Sequence, residues 1–314
     1  MTRNINRNGL EEAIRNENQF DAPPNVIVSR APPKPPSIIP LKEHKWNTRD
    51  LPWRVATDVT AAACASSLVA PLITIIDRAI IEKASNRSTL RISIANSFYS
   101  LLTRPHRFLT SKPTLLITAL YFGTYATANT VDTLSNTVSN KPANATTSGP
   151  SKFLATTSVN MSLCLYKDSQ FAKMFGPPPG IAGSAAKTIP MASYILFTLR
   201  DSMTIFASFN LPPIIAPLLP ISKEVEKQMS RASVAQFLAP AGIQLLSTPL
   251  HLWGLDLYNR PMGNGVGWRA RVGRVGRDWL GSSFARMGRI VPAFGVGGVV
   301  NAGVRGRMMG SIQE

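Results

Sequence analysis

Arg200 and Asp201 are adjacent ions inside an apolar run, and an ionised side chain removed from water is stable only when it is paired. Neighbouring residues point in different directions on a helix, so each is expected to reach its own partner on another helix. Asp77, Asp168 and Asp256 lie in other apolar runs and are the candidate acids; Arg200 with Asp168 is the pair singled out. Such a pair either fastens helices together or takes part in movement between them, since intramembrane ions are usually functional. Bond-making chemistry is not signalled. His106 and His251 have no companions at ligand spacing, and no Ser-His-Asp or Cys-His arrangement is present. Cys64 and Cys164 provide neither a disulfide framework nor a metal set. Gly263-Asn-Gly-Val-Gly267 has no strand before it and no acid at the right distance after it, so it reads as a turn and not a dinucleotide loop. The expectation is a protein that is not an enzyme and holds no metal or cofactor.

The segments that must position these ions are apolar and long. The chain has 314 residues, of which 44% are hydrophobic and 16% charged, against about 25% charged in soluble domains. Six apolar stretches stand out: Val55–Ile81, Pro113–Leu134, Phe153–Phe175, Ile189–Phe209, Ala232–Tyr258 and Ile290–Val304. The last is glycine-rich and short against the roughly 20 residues that a spanning helix needs. Richness in Ala, Ser, Thr and Gly suits helices packed closely in a bundle, and Gly295-X-X-Gly298 is one such contact motif. The net charge of +17 collects between the stretches. Lys83, Arg87, Arg91, Arg104, Arg107 and Lys112 separate the first two stretches, while Arg260, Arg269, Arg271, Arg274, Arg277, Arg286 and Arg289 separate the last two. Asp132–Lys152 is nearly uncharged and Lys223–Arg231 is mixed. The basic loops therefore share one side, as the positive-inside rule requires, and both termini lie on the other. This distribution fits contact with membrane lipids, anionic ones included, and argues against nucleic acid. Residues 1–50 are polar and proline-rich, with no secretory h-region after Met1 and with acids that a cleavable presequence avoids; they read as a flexible tail.

A weak internal repeat runs through these stretches. Pro71-Leu72, Ser162-Leu163 and Pro249-Leu250 mark the odd ones at intervals of 91 and 87 residues, each followed by an acid (Asp77, Asp168, Asp256) and then by Glu82, Lys173 or Arg260. Pro71, Ser162 and Pro249 are the expected kink positions. The even stretches open on Lys112-Pro113, Lys187-Thr-Ile-Pro190 and Arg289-Ile-Val-Pro292. Ala119-Leu-Tyr-Phe-Gly-Thr-Tyr125 and Phe197-Thr-Leu-Arg200-Asp201 look like the pattern A-x-x-F-x-x-Y-[DE]. On these features residues 51–307 resemble a divergent mitochondrial carrier. The resemblance implies an all-α membrane protein of six transmembrane helices in three related pairs. A tail (1–50) would precede repeats at 51–135, 136–217 and 218–307, with a C-terminal tail at 308–314. It also implies a substrate site at Lys112, Lys187, Thr188 and Arg289, and charge gates among Asp77, Asp168, Arg200, Asp201 and Asp256. The alternative for the cations is that they are helix-end residues snorkelling to the interface. The chain departs from the family in lacking P-x-[DE]-x-x-[KR] on every odd stretch.

Three readings follow. One is a carrier-like protein of the mitochondrial inner membrane, moving a small and, given the cations, anionic solute. Another is a carrier-derived scaffold, adaptor or insertion factor, in the outer membrane or the inner. The third is an unrelated six-span protein whose repeat is coincidental. Protein partners are not indicated. The loop Lys173–Lys187 is short, so its helix is expected to be missing or reduced.

Overall fold

A computed structural model describes residues 46–147, 149–177, 188–222, 224, 226, 230–261 and 266–313. All regular structure among these residues is helical. The first stretch is one helix, α1 (Leu51–Ala84), and the first basic loop folds into α2 (Leu90–Thr103) and α3 (Pro105–Leu109). The next three stretches are α4 (Lys112–Val138), α5 (Pro150–Phe175) and α6 (Met191–Asn210), the last followed by the single turn α7 (Pro212–Ile215). The fifth stretch is broken into α8 (Arg231–Gly242) and α9 (Gln244–Asn259). The second basic loop is α10 (Trp268–Gly288), which runs through a π-helical segment, Val291–Gly297, into α11 (Gly298–Gln313).

The helices pack in chain order and close on the first. α1 lies against α4, α4 against α5, α5 against α6, α6 against α8 and α9, and α9 against α10; the π segment and α11 return to α1. Ala61, Ala62, Ala65, Ala70 and Ile73 are fully buried along α1, because small side chains let neighbouring helices come near. Its outward residues are apolar: Trp53, Leu68 and Leu72 are exposed. Two helical runs, Leu51–Ala84 and Trp268–Ile312, are long and apolar enough to cross a membrane.

Several sequence expectations change here. The sixth stretch is neither short nor isolated, since the basic segment before it is helical and continuous with it. Residues 308–313, expected as a tail, belong to α11. The glycine contact falls on Gly297, where a Cβ would collide with the Tyr125 hydroxyl, while Gly298 faces open space. Ser162 lies in an unbroken helix and donates to the Ser158 carbonyl at 2.8 Å. Both Pro71 and Pro249 are inside helices, as is Pro240, but the break in the fifth stretch falls at Ile243, between the two later prolines. The short loop after α5 and the Gly263–Gly267 turn lie largely outside the described residues.

A proline leaves the carbonyl four residues earlier without its helical donor. For Pro249 that carbonyl belongs to Leu245, and Trp279 of α10 donates its indole Nε1–H to it at 2.7 Å. The carbonyl that Pro249 leaves open in α9 is therefore satisfied from α10. Trp279→Phe keeps the ring and removes the donor, and should destabilise the protein by about 1–3 kcal/mol. A thermal melt in detergent matching wild type would show that the carbonyl has another donor.

Candidate functional site

Five elements bring ionic or strongly polar side chains to one buried cluster. α1 supplies Asp77, α5 Lys167 and Asp168, α6 Arg200 and Asp201, and α9 Gln244 and His251. Arg286 comes from α10 and Arg289 from the residue that ends it. Lys167 Nζ donates to Asp77 Oδ2 at 2.8 Å and also contacts Asp168. Arg289 Nη1 reaches both Asp77 oxygens, at 2.8 and 3.1 Å. Arg200 Nη1 lies 2.8 Å from Asp168 Oδ2 and 2.8 Å from His251 Nδ1. A guanidinium only donates, so that histidine nitrogen accepts. Arg200 also folds back along its own helix, with Nε 2.9 Å from Asp201 Oδ1. The expectation of separate partners for Arg200 and Asp201 is thus corrected. A long side chain reaches sideways to its neighbour and across to α5 at once.

Four cations (Lys167, Arg200, Arg286, Arg289) face three carboxylates (Asp77, Asp168, Asp201), leaving an excess of one positive charge. Arg286 accounts for the excess. It is 2% exposed, its Nε donates to Gln244 Oε1 at 2.9 Å, and its Nη2 is buried without a partner. Asp77, Lys167, Asp168, His251 and Arg286 line one narrow crevice, closed in this conformation to anything the size of water. Cys164, Asp168 and Asp201 bring three donor atoms within 4.8 Å of one another, but Arg200 already supplies the cation among them, with Nη2 3.4 Å from Cys164 Sγ.

Of the remaining candidates, Lys112 is exposed, with Nζ 3.0 Å from Gln170 Oε1, and Thr188 is exposed. Neither joins the cluster. Lys187 lies outside the described residues. Asp256 pairs at the loop end with Arg260 (2.8 Å) and with Arg271 of α10 (2.6 Å), away from the even-numbered stretches.

A second layer crosses the bundle toward the start of α1. Asp58 is held by Arg305 Nε at 2.7 Å and the Thr133 hydroxyl at 2.6 Å, and Asn129 and Asn301 exchange amide hydrogen bonds at 2.9 and 3.0 Å. Nineteen residues separate Asp58 from Asp77 on one helix, so the layers are about 28 Å apart. Sequence reasoning missed this layer, and Gln244, His251 and Arg286 in the first. The available signal was spacing: Arg54 and Asp58 stand four residues apart, and Arg286 and Arg289 three, which places each pair on one helix face.

The profile of a family described as "probable citrulline exporter" matches residues 61–309. The chain belongs to that family. The match overturns the mitochondrial carrier resemblance: a bent span with an acid beyond the bend is a general membrane device, and the diagnostic carrier signature is absent from this sequence. The mitochondrial placement rested on that likeness and on the basic loops, and basic loops alone name no organelle. Searches of curated proteins and of solved structures return no match. With apolar helices facing outward, the family makes this a membrane protein.

Asp168 neutralises Arg200 and Lys167 together. Asp168→Ala leaves uncompensated buried charge and should cost about 3–5 kcal/mol, read as a large loss of folded protein from the membrane. Asp168→Ala with Arg200→Gln should recover part of that loss. If the double variant is worse than the sum of the two single ones, the pair is not the contact that holds α5 to α6.

Proposed function

We propose that this protein exports citrulline across a membrane, and that the crevice at Asp77, Lys167, Asp168, His251 and Arg286 is the solute site. Citrulline carries a carboxylate, an ammonium and an uncharged ureido group. Arg286, a buried cation with no carboxylate, suits the first; Asp168 and Asp201 suit the second. His251 and Gln244 provide neutral polar groups for the third. The observation that carries the reading is Arg286, in no ion pair among the described residues and with its Nη2 unpartnered, in a mixed-sign buried cluster within a chain of the exporter family.

The reading takes the six helical stretches as six crossings in three pairs, with movement between them opening the crevice to one side and then the other. Pro71, Pro240 and Pro249 are built-in bend positions, and the break at Ile243 lies beside Gln244 of the cluster. The basic end of α1 meets the middle of α10 at the Asp77 end, where Lys83 lies 3.5 Å from Asp278 and Arg277 Nη2 3.0 Å from Asn86 Oδ1. Under the positive-inside rule that end faces the compartment from which solute would leave.

Proteoliposomes loaded with radiolabelled citrulline test the proposal. Efflux should exceed that of empty liposomes, and Arg286→Gln should slow it at least tenfold, about 1.4 kcal/mol of lost binding. Ornithine, one charge more positive, should move more slowly past a site already in excess by one cation. Well-folded protein that moves no citrulline sinks the reading and favours a non-transporting scaffold, which the closed crevice would suit.

A further inference from the structure

At the start of α1, away from the crevice, a cavity of about 200 Å³ is lined by Asn47, Arg49, Asp50, Arg54, Ala143 and Ile312. Water takes about 30 Å³ in the liquid, so the cavity has room for a molecule of several heavy atoms. Its wall is charged in an unusual way. Arg54 is 1% exposed and forms no ion pair among the described residues. Its Nη1 donates to the Asn47 carbonyl at 2.9 Å and its Nη2 to the Thr133 carbonyl at 3.4 Å, while Nε is buried without a partner. The acid one turn further along, Asp58, is fully taken by Arg305 and Thr133. At the rim, Asp50 is matched by Arg49 at 3.3 Å. Among the described residues Arg54 therefore donates to two carbonyls and forms no ion pair, with Asp58 attracting it only from beyond ion-pair distance.

We infer that this cavity is an anion-binding site, with Arg54 as its cation and a small carboxylate as its ligand. A buried guanidinium with a free N–H accepts a carboxylate as a charge-assisted hydrogen-bond partner. The volume admits an acetate or the carboxylate end of an amino acid but not a large anionic headgroup with its chains. Asn47 Nδ2, now on the Lys141 carbonyl at 3.2 Å, is a neutral donor at the same wall. The inference stands on Arg54 and the cavity alone and does not depend on export of citrulline.

The test uses the full chain purified in detergent, melted in sodium acetate and in sodium chloride at equal ionic strength. A ligand bound only by the folded state raises the melting temperature with its concentration. Acetate should raise it by about 2–4 °C over chloride, and Arg54→Gln should abolish that difference. Ala143→Leu, which narrows the cavity without touching the guanidinium, should abolish it too, and decides the matter if Arg54→Gln fails to fold. Arg286→Gln should leave the acetate response in place. An equal response to chloride, or a response that survives Arg54→Gln or Ala143→Leu, overturns the inference. So does a response lost in Arg286→Gln alone, which would move the anion to the crevice.

Discussion

Charge that cannot reach water has to be matched inside the protein, and in this chain that requirement fixes how the helices meet. The cluster around Asp77, Lys167, Asp168 and Arg200 draws on α1, α5, α6, α9 and the end of α10. In a low-dielectric surround a hydrogen-bonded ion pair gains from proximity, and its main effect is to penalise every arrangement that separates the partners. Each ion there has more than one neighbour. Lys167 sits between two aspartates and Arg200 between two more oxygens and a histidine. A helix of that layer that rotates or slides has to separate at least one of these pairs. α4 brings no charged side chain to the layer, only Tyr121 within electrostatic reach of Arg289 and Asp77, and it is bound in at the opposite end through Asn129 and Thr133.

The same constraint explains the sorting of the other side chains. α2 buries Ser93 and Ser97 and exposes Ile92, Phe98, Tyr99 and Leu102, the reverse of a helix on a soluble domain. Ser93 turns inward to Glu82 of α1 at 2.6 Å. With lipid outside, apolar residues gain little from being inside, so small residues and hydrogen-bonding groups occupy the contacts. Several hydroxyls within the stretches are satisfied on the backbone four residues earlier: Thr74 on Ala70, Thr118 on Thr114, Thr124 on Leu120, Thr127 on Gly123. None of these needs water. Tyr125 spends its hydroxyl differently, donating at 2.7 Å to the Ala293 carbonyl within the π-helical segment, whose ladder of hydrogen bonds is irregular.

The positions of the helices were legible because apolar length survives without any knowledge of neighbours. Asp77, Asp168, Arg200 and Asp201 were legible as buried ions for the same reason, each being a charge within an apolar run. Arg286 and Arg305 were not. Arg286 read as part of a basic loop and Arg305 lay just past the last apolar stretch, and only the helix formed by those segments turns one face inward. Arg54 and Asp58 were hidden in a similar way at the polar entrance of α1. The family was misread because prolines and acids at matching intervals arise wherever bent spans are paired. The missing P-x-[DE]-x-x-[KR] was the more informative observation, since a gate cannot lose both partners of its pairs and remain the same gate. Prolines marked where α9 needs an outside donor but not where the fifth stretch breaks: Ile243 keeps its bonds to Ala239 and Ser247, and at the break the Pro240 carbonyl accepts the Gln244 side-chain amide at 2.9 Å.

Both ionic layers carry one more cation than acid, Arg286 in one and Arg54 in the other, and they lie near opposite ends of the same helix. A solute with a carboxylate and a balancing ammonium would meet a compatible cation at either end while adding no net charge to the protein on the way. That neutrality has an energetic consequence in any membrane with a potential across it. Moving one elementary charge against 100 mV costs about 2.3 kcal/mol, whereas a zwitterion crosses without doing electrical work. The buried arginines then need no compensating ion to travel with the solute, and its distribution would follow its own concentration gradient. An arrangement with equal numbers of acids and cations would not distinguish the carboxylate end of such a solute from its ammonium end. Under the proposed export, the surplus of a single guanidinium at each layer would.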